Sequence, residues 1–255
     1  MNIIMNKGIF LKRILLHRMF YIAIFATLTL LLCSIVHTDF FTGEEYTFLS
    51  LFYNNAAKEA LKSGGIQMEN VLLGYDTGYL WMFCPVIAGI PCVITKKTER
   101  FPLFRWNKNK YFLLKYFSNL VAGGMILLLA YTIYATLGML LVRENLWNIN
   151  LMKKLLSMFF WGMYSAIPSV ILEEFVRNQY LILCVPVVLN YFAYTFLSDF
   201  LPRFVGEYVL PHGYQILCLY PGKKVALFFG TLGLFIIGCA MMKKAVMERR
   251  LDCGR

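Results

Sequence analysis

Hydrophobic positions in this chain fill whole stretches instead of recurring on one face. Uncharged runs occupy residues 19–36 ("MFYIAIFATLTLLLCSIV"), 77–94, 116–142, 155–172, 180–198 and 225–242, and the charged residues gather in the connectors between them. A helix that is apolar all round is buried in protein or in lipid. These runs approach or exceed the roughly 20 residues, at about 1.5 Å each, that cross a hydrocarbon core about 30 Å thick. The pattern predicts an all-α polytopic membrane protein: one transmembrane domain over residues 1–255 with six spanning helices.

Prolines punctuate three of the runs: Pro85 and Pro91 in the second, Pro168 in the fourth and Pro186 in the fifth. Proline lacks an N–H and kinks a membrane helix, so the carbonyl one turn earlier must be satisfied by a neighbour. The first run follows Lys7, Lys12, Arg13 and Arg18, the polarity of a signal peptide. Signal peptides have a shorter apolar region of about 7–15 residues and a small-residue cleavage site. Leu32 stands before Cys33 where a lipoprotein cleavage box needs a small residue. A retained helix is expected.

Composition agrees. Of 255 residues, 59% are hydrophobic, 16% aromatic and only 15% charged, against about a quarter charged in a soluble domain. The net charge of +11 could in principle serve nucleic acid, but the cations cluster at the ends of apolar runs, as membrane orientation requires. With a cytoplasmic N-terminus, residues 1–18, 95–115, 173–178 and 243–255 hold 4 + 7 + 1 + 5 = 17 Lys and Arg, and residues 37–76, 143–154 and 199–224 hold 2 + 3 + 3 = 8. The positive-inside bias places both termini in the cytoplasm of a plasma membrane.

The densest cluster is "TKKTERFPLFRWNKNKYFLLK", residues 95–115. Inserting one central Lys or Arg costs about 2.5–3.5 kcal/mol, so this connector stays on the cytoplasmic side. Phe101, Leu103, Phe104 and Trp106 precede Lys108, Lys110 and Lys115, a pattern suited to a short helix lying at the membrane surface, facing lipid headgroups or a docked partner. Residues 7–18, "KGIFLKRILLHR", are amphipathic too: Ile9, Phe10, Ile14 and Leu15 are spaced among Lys12, Arg13 and Arg18.

Catalytic chemistry is missing from the sequence. No G-x-x-x-x-G-K-[ST] occurs, and "PGKK" at 221–224 lacks the upstream Gly and the closing Ser or Thr, so any ATP hydrolysis belongs to another chain. No ionisable residue lies mid-span, where an ion relay would need one. Seven cysteines, mostly within apolar runs, with no CxxC, and three histidines with no HExxH, imply neither a disulfide framework nor a metal site. "EEFVR" at 173–177 is similar to the EExxxR signature of glutamic membrane proteases, but it is one residue short and His17, His37 and His212 all fall outside the spans. A polar turn with Glu173 or Glu174 paired to Arg177 is expected instead.

The passage "PVIAGIPCVITKKTERFPLFRWNKNKYFLLKYFSNLVAGGMILLLAYTIY" resembles the second-to-third helix region of type 2 ATP-binding-cassette (ABC) permeases. The resemblance rests on a basic segment with Arg105, then Asn107, Lys108, Asn109 and Lys110, then Tyr111 and Lys115, and an apolar helix opening with Gly123 and Gly124. "KKTER" replaces the acidic and glycine residues that often precede that segment. "FFWGMYSAIPSVILEEFVRNQYLILCVPVVLNYFAYTFL" is similar to the family's fourth and fifth helices, joined by a tight polar turn.

The resemblance implies an exporter-like permease subunit of a bacterial plasma membrane, partnered by a second permease subunit and by a separate ATPase subunit, with no cofactor in this chain. It implies a coupling helix at residues 96–110 that docks the ATPase through Lys96, Lys97, Arg100, Arg105, Trp106, Lys108 and Lys110. It also implies a membrane-parallel connecting helix at residues 7–18 and an outer-leaflet gate over Phe204–Leu219. The alternative is a stand-alone membrane protein, an immunity or sensor component, whose basic loop meets lipid or another partner.

Polar residues inside runs have structural expectations: Asn119, Thr132 and Asn190 as interhelical hydrogen-bond formers. The pairs Gly162 with Ala166 and Ala226 with Gly230 permit close helix packing within the subunit or across a dimer. A short helix is expected in "LFYNNAAKEALKSGG", residues 51–65.

Overall fold

The structure is a computed structural model that describes residues 9–42, 80–97, 108–142, 149–176, 178–192, 237, 238 and 241. Among the described residues every regular element is helical and there are no strands. In chain order the helices are α1 (Ile9–Leu15), α2 (Arg18–Thr42), α3 (Leu80–Lys97), α4 (Lys108–Val142), α5 (Ile149–Phe175) and α6 (Gln179–Phe192). The five apolar runs from 19–36 to 180–198 correspond to α2 through α6. The run 225–242, apart from 237, 238 and 241, lies outside the described residues. So do the helix expected at 51–65, the gate expected at Phe204–Leu219, and the pair Ala226 and Gly230.

Helices overrun the apolar runs that announced them. Backbone helix continues through Thr95, Lys96 and Lys97 and resumes at Lys108, so the connector read as 95–115 is helical at both ends. Hydropathy registers the transfer cost of side chains, whereas helix propagation adds a hydrogen bond per residue and continues past the apolar limit. The stretch Leu113–Leu140 of α4, 28 residues, is long and apolar enough on its own to cross a membrane; Arg18–Cys33, Met82–Lys96 and Gln179–Phe192 are shorter apolar helices. The six-span count rests on the sequence.

Two helix starts are capped by side chains. The Met19 amide donates to His17 Nδ1 at 3.2 Å and opens α2, and the Tyr180 amide donates to Asn178 Oδ1 at 2.9 Å and opens α6. Each cap satisfies one of the amides a helix start leaves unpaired. The second cap lets α5 turn into α6 across the three residues 176–178, the tight polar turn expected there. α1 buries Phe10 and Ile14 against the other helices and leaves Lys12 and Arg13 exposed, the amphipathic placement its sequence called for.

α4 runs at the centre, packed against α1, α2, α3 and α5, while α3 also meets α5 and α6. The closest crossing is between α4 and α5. A Cβ on Gly162 would stand 2.5 Å from the Gly123 carbonyl oxygen and 2.8 Å from Gly124 Cα, and one on Gly124 would stand 2.6 Å from the Phe159 carbonyl oxygen. Gly162 and Ala166 therefore serve packing within the chain. Trp161, Tyr116, Tyr131 and Phe20 fill the core beside this seam. The outward faces are equally apolar, with Phe25 70%, Leu140 71% and Tyr180 78% exposed.

Candidate functional site

Ser165, Ser169 and Glu173 stand one helical turn apart on α5 and form a polar stripe. α3 runs parallel to α5 and answers each member. Cys84 Sγ donates to Ser165 Oγ at 3.2 Å. Gly89, lacking a Cβ, leaves room for the Ser169 side chain. The Ser169 hydroxyl donates to the carbonyl of Ile182 on α6 at 3.1 Å. Ile182 lies four residues before Pro186, the proline inside α6, so its carbonyl has no intrahelical N–H to accept from. The neighbour required by the proline is a serine on the preceding helix.

At the end of the stripe three helices converge on one carboxylate. Lys115 Nζ of α4 lies 2.5 Å from Glu173 Oε1, with the two side chains 1% and 0% exposed. Asn119, one turn after Lys115, donates from Nδ2 to Glu173 Oε2 at 3.2 Å and to Thr95 Oγ1 at 3.1 Å. The single hydroxyl proton of Thr95 is within reach of the Pro91 and Cys92 carbonyls, both at 3.1 Å, and of Glu173 Oε1 at 3.4 Å. A buried ion pair persists only when further hydrogen bonds satisfy its remaining atoms, and Thr95 and Asn119 provide them.

Lys96 completes the corner. Its Nζ donates to the Glu173 carbonyl at 3.0 Å and, at short range, to the Val176 carbonyl. Those are among the last carbonyls of α5, which a helix end leaves unpaired. A cation there also meets the negative end of the helix dipole. Two ammonium groups and one carboxylate give the corner a net positive charge. Held by an ammonium, an amide and a hydroxyl, the carboxylate acts as a junction between helices.

The docking residues expected from the sequence divide accordingly. Lys96 is half-buried and turned inward onto α5. Lys97, Lys108 and Lys110 lie on described helical backbone without described side chains, and Arg100, Arg105 and Trp106 lie outside the described residues. The observed partner of Glu173 is Lys115; the expected partner Arg177, and the side chain of Glu174, lie outside the described residues. Asn119 makes interhelical bonds as expected, whereas the Thr132 hydroxyl bonds its own helix at the Leu128 carbonyl, 2.7 Å away.

Sequence reasoning missed Thr95, Lys115, Asn119 and Glu173 as one unit. The available signal was a Lys and an Asn four apart at the entrance of one apolar run, a Thr and a Lys at the exit of another, and a Glu at the exit of a third. Among the described residues no three His, Cys, Asp or Glu come together as metal ligands. Comparison with protein families, with curated proteins and with solved structures gives no match.

Proposed function

We propose that this chain is the six-span permease subunit of a type 2 ABC exporter in a bacterial plasma membrane, driven by a separate ATPase subunit. The observation that carries the membrane placement is the distribution of polarity. Charges that leave the surface are paired inside the helix assembly, while Phe25, Leu140 and Tyr180 cover its outside. In water such exposure invites association; in lipid it is solvation, and a buried ionisable pair must be internally satisfied.

The transporter assignment is supported by the resemblance around Arg105 to Lys115 and by the excess of cations in the connector. In this reading two permease subunits bracket a pathway, ATPase chains bind beneath, and their closure pushes on the connector between α3 and α4. No covalent chemistry is assigned to this chain.

Co-purification from detergent-solubilised membranes tests the proposal. A Walker-motif ATPase retained by the wild-type chain, and lost when Arg105, Lys108 and Lys110 are changed together to Glu without loss of membrane insertion, supports it. A solitary chain favours the stand-alone membrane protein. Labelling of a cysteine placed at Lys108 from outside intact cells would overturn the orientation.

A further inference from the structure

We infer that Lys96, Lys115 and Glu173 are positioning residues that make the basic connector a lever on α6; the inference rests on the transporter reading above. Residues 98–107 leave α3 immediately after Lys96 and re-enter as α4 at Lys108. Both roots are tied to the same residue of α5. On the α4 side Lys115 and Asn119 hold the Glu173 carboxylate, and on the α3 side Thr95 reaches that carboxylate while Lys96 holds the Glu173 and Val176 carbonyls.

A push on a connector with loose roots is absorbed by its own backbone. Here the roots are buried and cross-linked by charge-assisted bonds, which are shorter and stronger than neutral ones. Displacement of the connector therefore carries the C-terminal end of α5 with it. Two residues past Val176 stands Asn178, the cap of α6, and Ser169 ties α5 to Ile182 a second time. α6 is also thinly seated: Ile182 and Pro186 are its buried residues, whereas Tyr180, Leu181, Val188 and Leu189 are exposed. It is well placed to be the element that moves.

Lys96 and Lys115 thus leave the set of cations available for docking. They hold the docking segment; they do not form its surface. This separates binding of the ATPase from transmission of its motion, and the two can be measured apart.

Cys184, exposed on α6, provides the reporter. It is labelled with an environment-sensitive fluorophore in a full chain whose other cysteines are replaced by Ala or Ser, and the chain is assembled with its co-purifying ATPase in nanodiscs. The signal is compared without nucleotide and after trapping with ATP and vanadate. The variant Lys115→Met with Glu173→Gln removes both charges, so that neither is left buried alone. We expect it to retain the ATPase and lose the nucleotide-dependent signal, and the exchanged pair Lys115→Glu with Glu173→Lys to regain it.

An unchanged signal in the neutral variant overturns the lever. Loss of ATPase retention in that variant also overturns it, because the corner would then belong to the docking surface. If the wild-type chain retains no ATPase, the transporter reading itself fails and takes the lever with it.

Discussion

α4 and α5 are joined twice, by different physics. At one end Lys115 and Asn119 hold Glu173 through an ion pair and hydrogen bonds. Two turns further along α4, Gly123 and Gly124 let the backbone of α5 approach at Gly162 until a single methyl group would collide with a carbonyl oxygen. The polar corner is specific because each buried charge needs its particular partner. The glycine seam is specific because small residues let two backbones make van der Waals contact, which drives helix association where lipid removes the hydrophobic advantage. The corner can be rewritten as a pair, whereas the seam cannot be rewritten by changing any one opposing side chain, since what opposes it is backbone.

The sharpest way to break this contrast is Glu173→Gln, which leaves the Lys115 ammonium buried without its counter-charge and should cost about 3–5 kcal/mol. Thermal unfolding in detergent should show the loss, and adding Lys115→Met should recover most of it. If the second substitution recovers nothing, the corner is not behaving as a pair.

Lys96→Met should come next, at about 1.5–3 kcal/mol for hydrogen bonds to a charged group. Lys108→Met, on the same connector, should leave the unfolding temperature unchanged. Equal losses would show that Lys96 is an ordinary surface cation.

On the other side of the comparison, Gly162→Ala should cost about 1–3 kcal/mol through overpacking against the Gly123 carbonyl. Neither Lys115→Met nor Glu173→Gln should compensate it, because the two regions share no partners and distant effects add. A compensation would mean that the corner and the seam are one mechanical unit.

The smallest effect is expected at Ser169→Ala, about 1 kcal/mol for an interhelical hydrogen bond in a membrane protein. Its signature lies in its coupling to Pro186. Returning an N–H to α6 by Pro186→Ala gives the Ile182 carbonyl an intrahelical partner, so the serine should then be nearly dispensable. Equal costs in both backgrounds would detach Ser169 from the proline.

The helices themselves were legible. Uncharged runs located α2 through α6, the amphipathic spacing of Phe10 and Ile14 located the buried face of α1, and the small-residue pair Gly162 and Ala166 marked a close crossing. The helix ends were less so, since α4 begins at Lys108, eight residues before its apolar run at 116. Lysine is a good helix former, and hydropathy does not see propensity. Lys96 and Lys115 were grouped with the connector because charge counted along the chain carries no direction in space.

Transfer free energy sums over neighbouring residues, so the amino-acid order alone settled which stretches are apolar, how charge is shared among connectors and where proline would leave a carbonyl wanting. Which serine answers Ile182, and which lysine answers Glu173, depends on how each helix is rotated about its axis and where it crosses its neighbours. Those angles are set by close contacts such as Gly123 against Gly162, between residues far apart in the chain. Only in the packed bundle does a lysine written as part of a loop become the buried partner of a glutamate three helices meet.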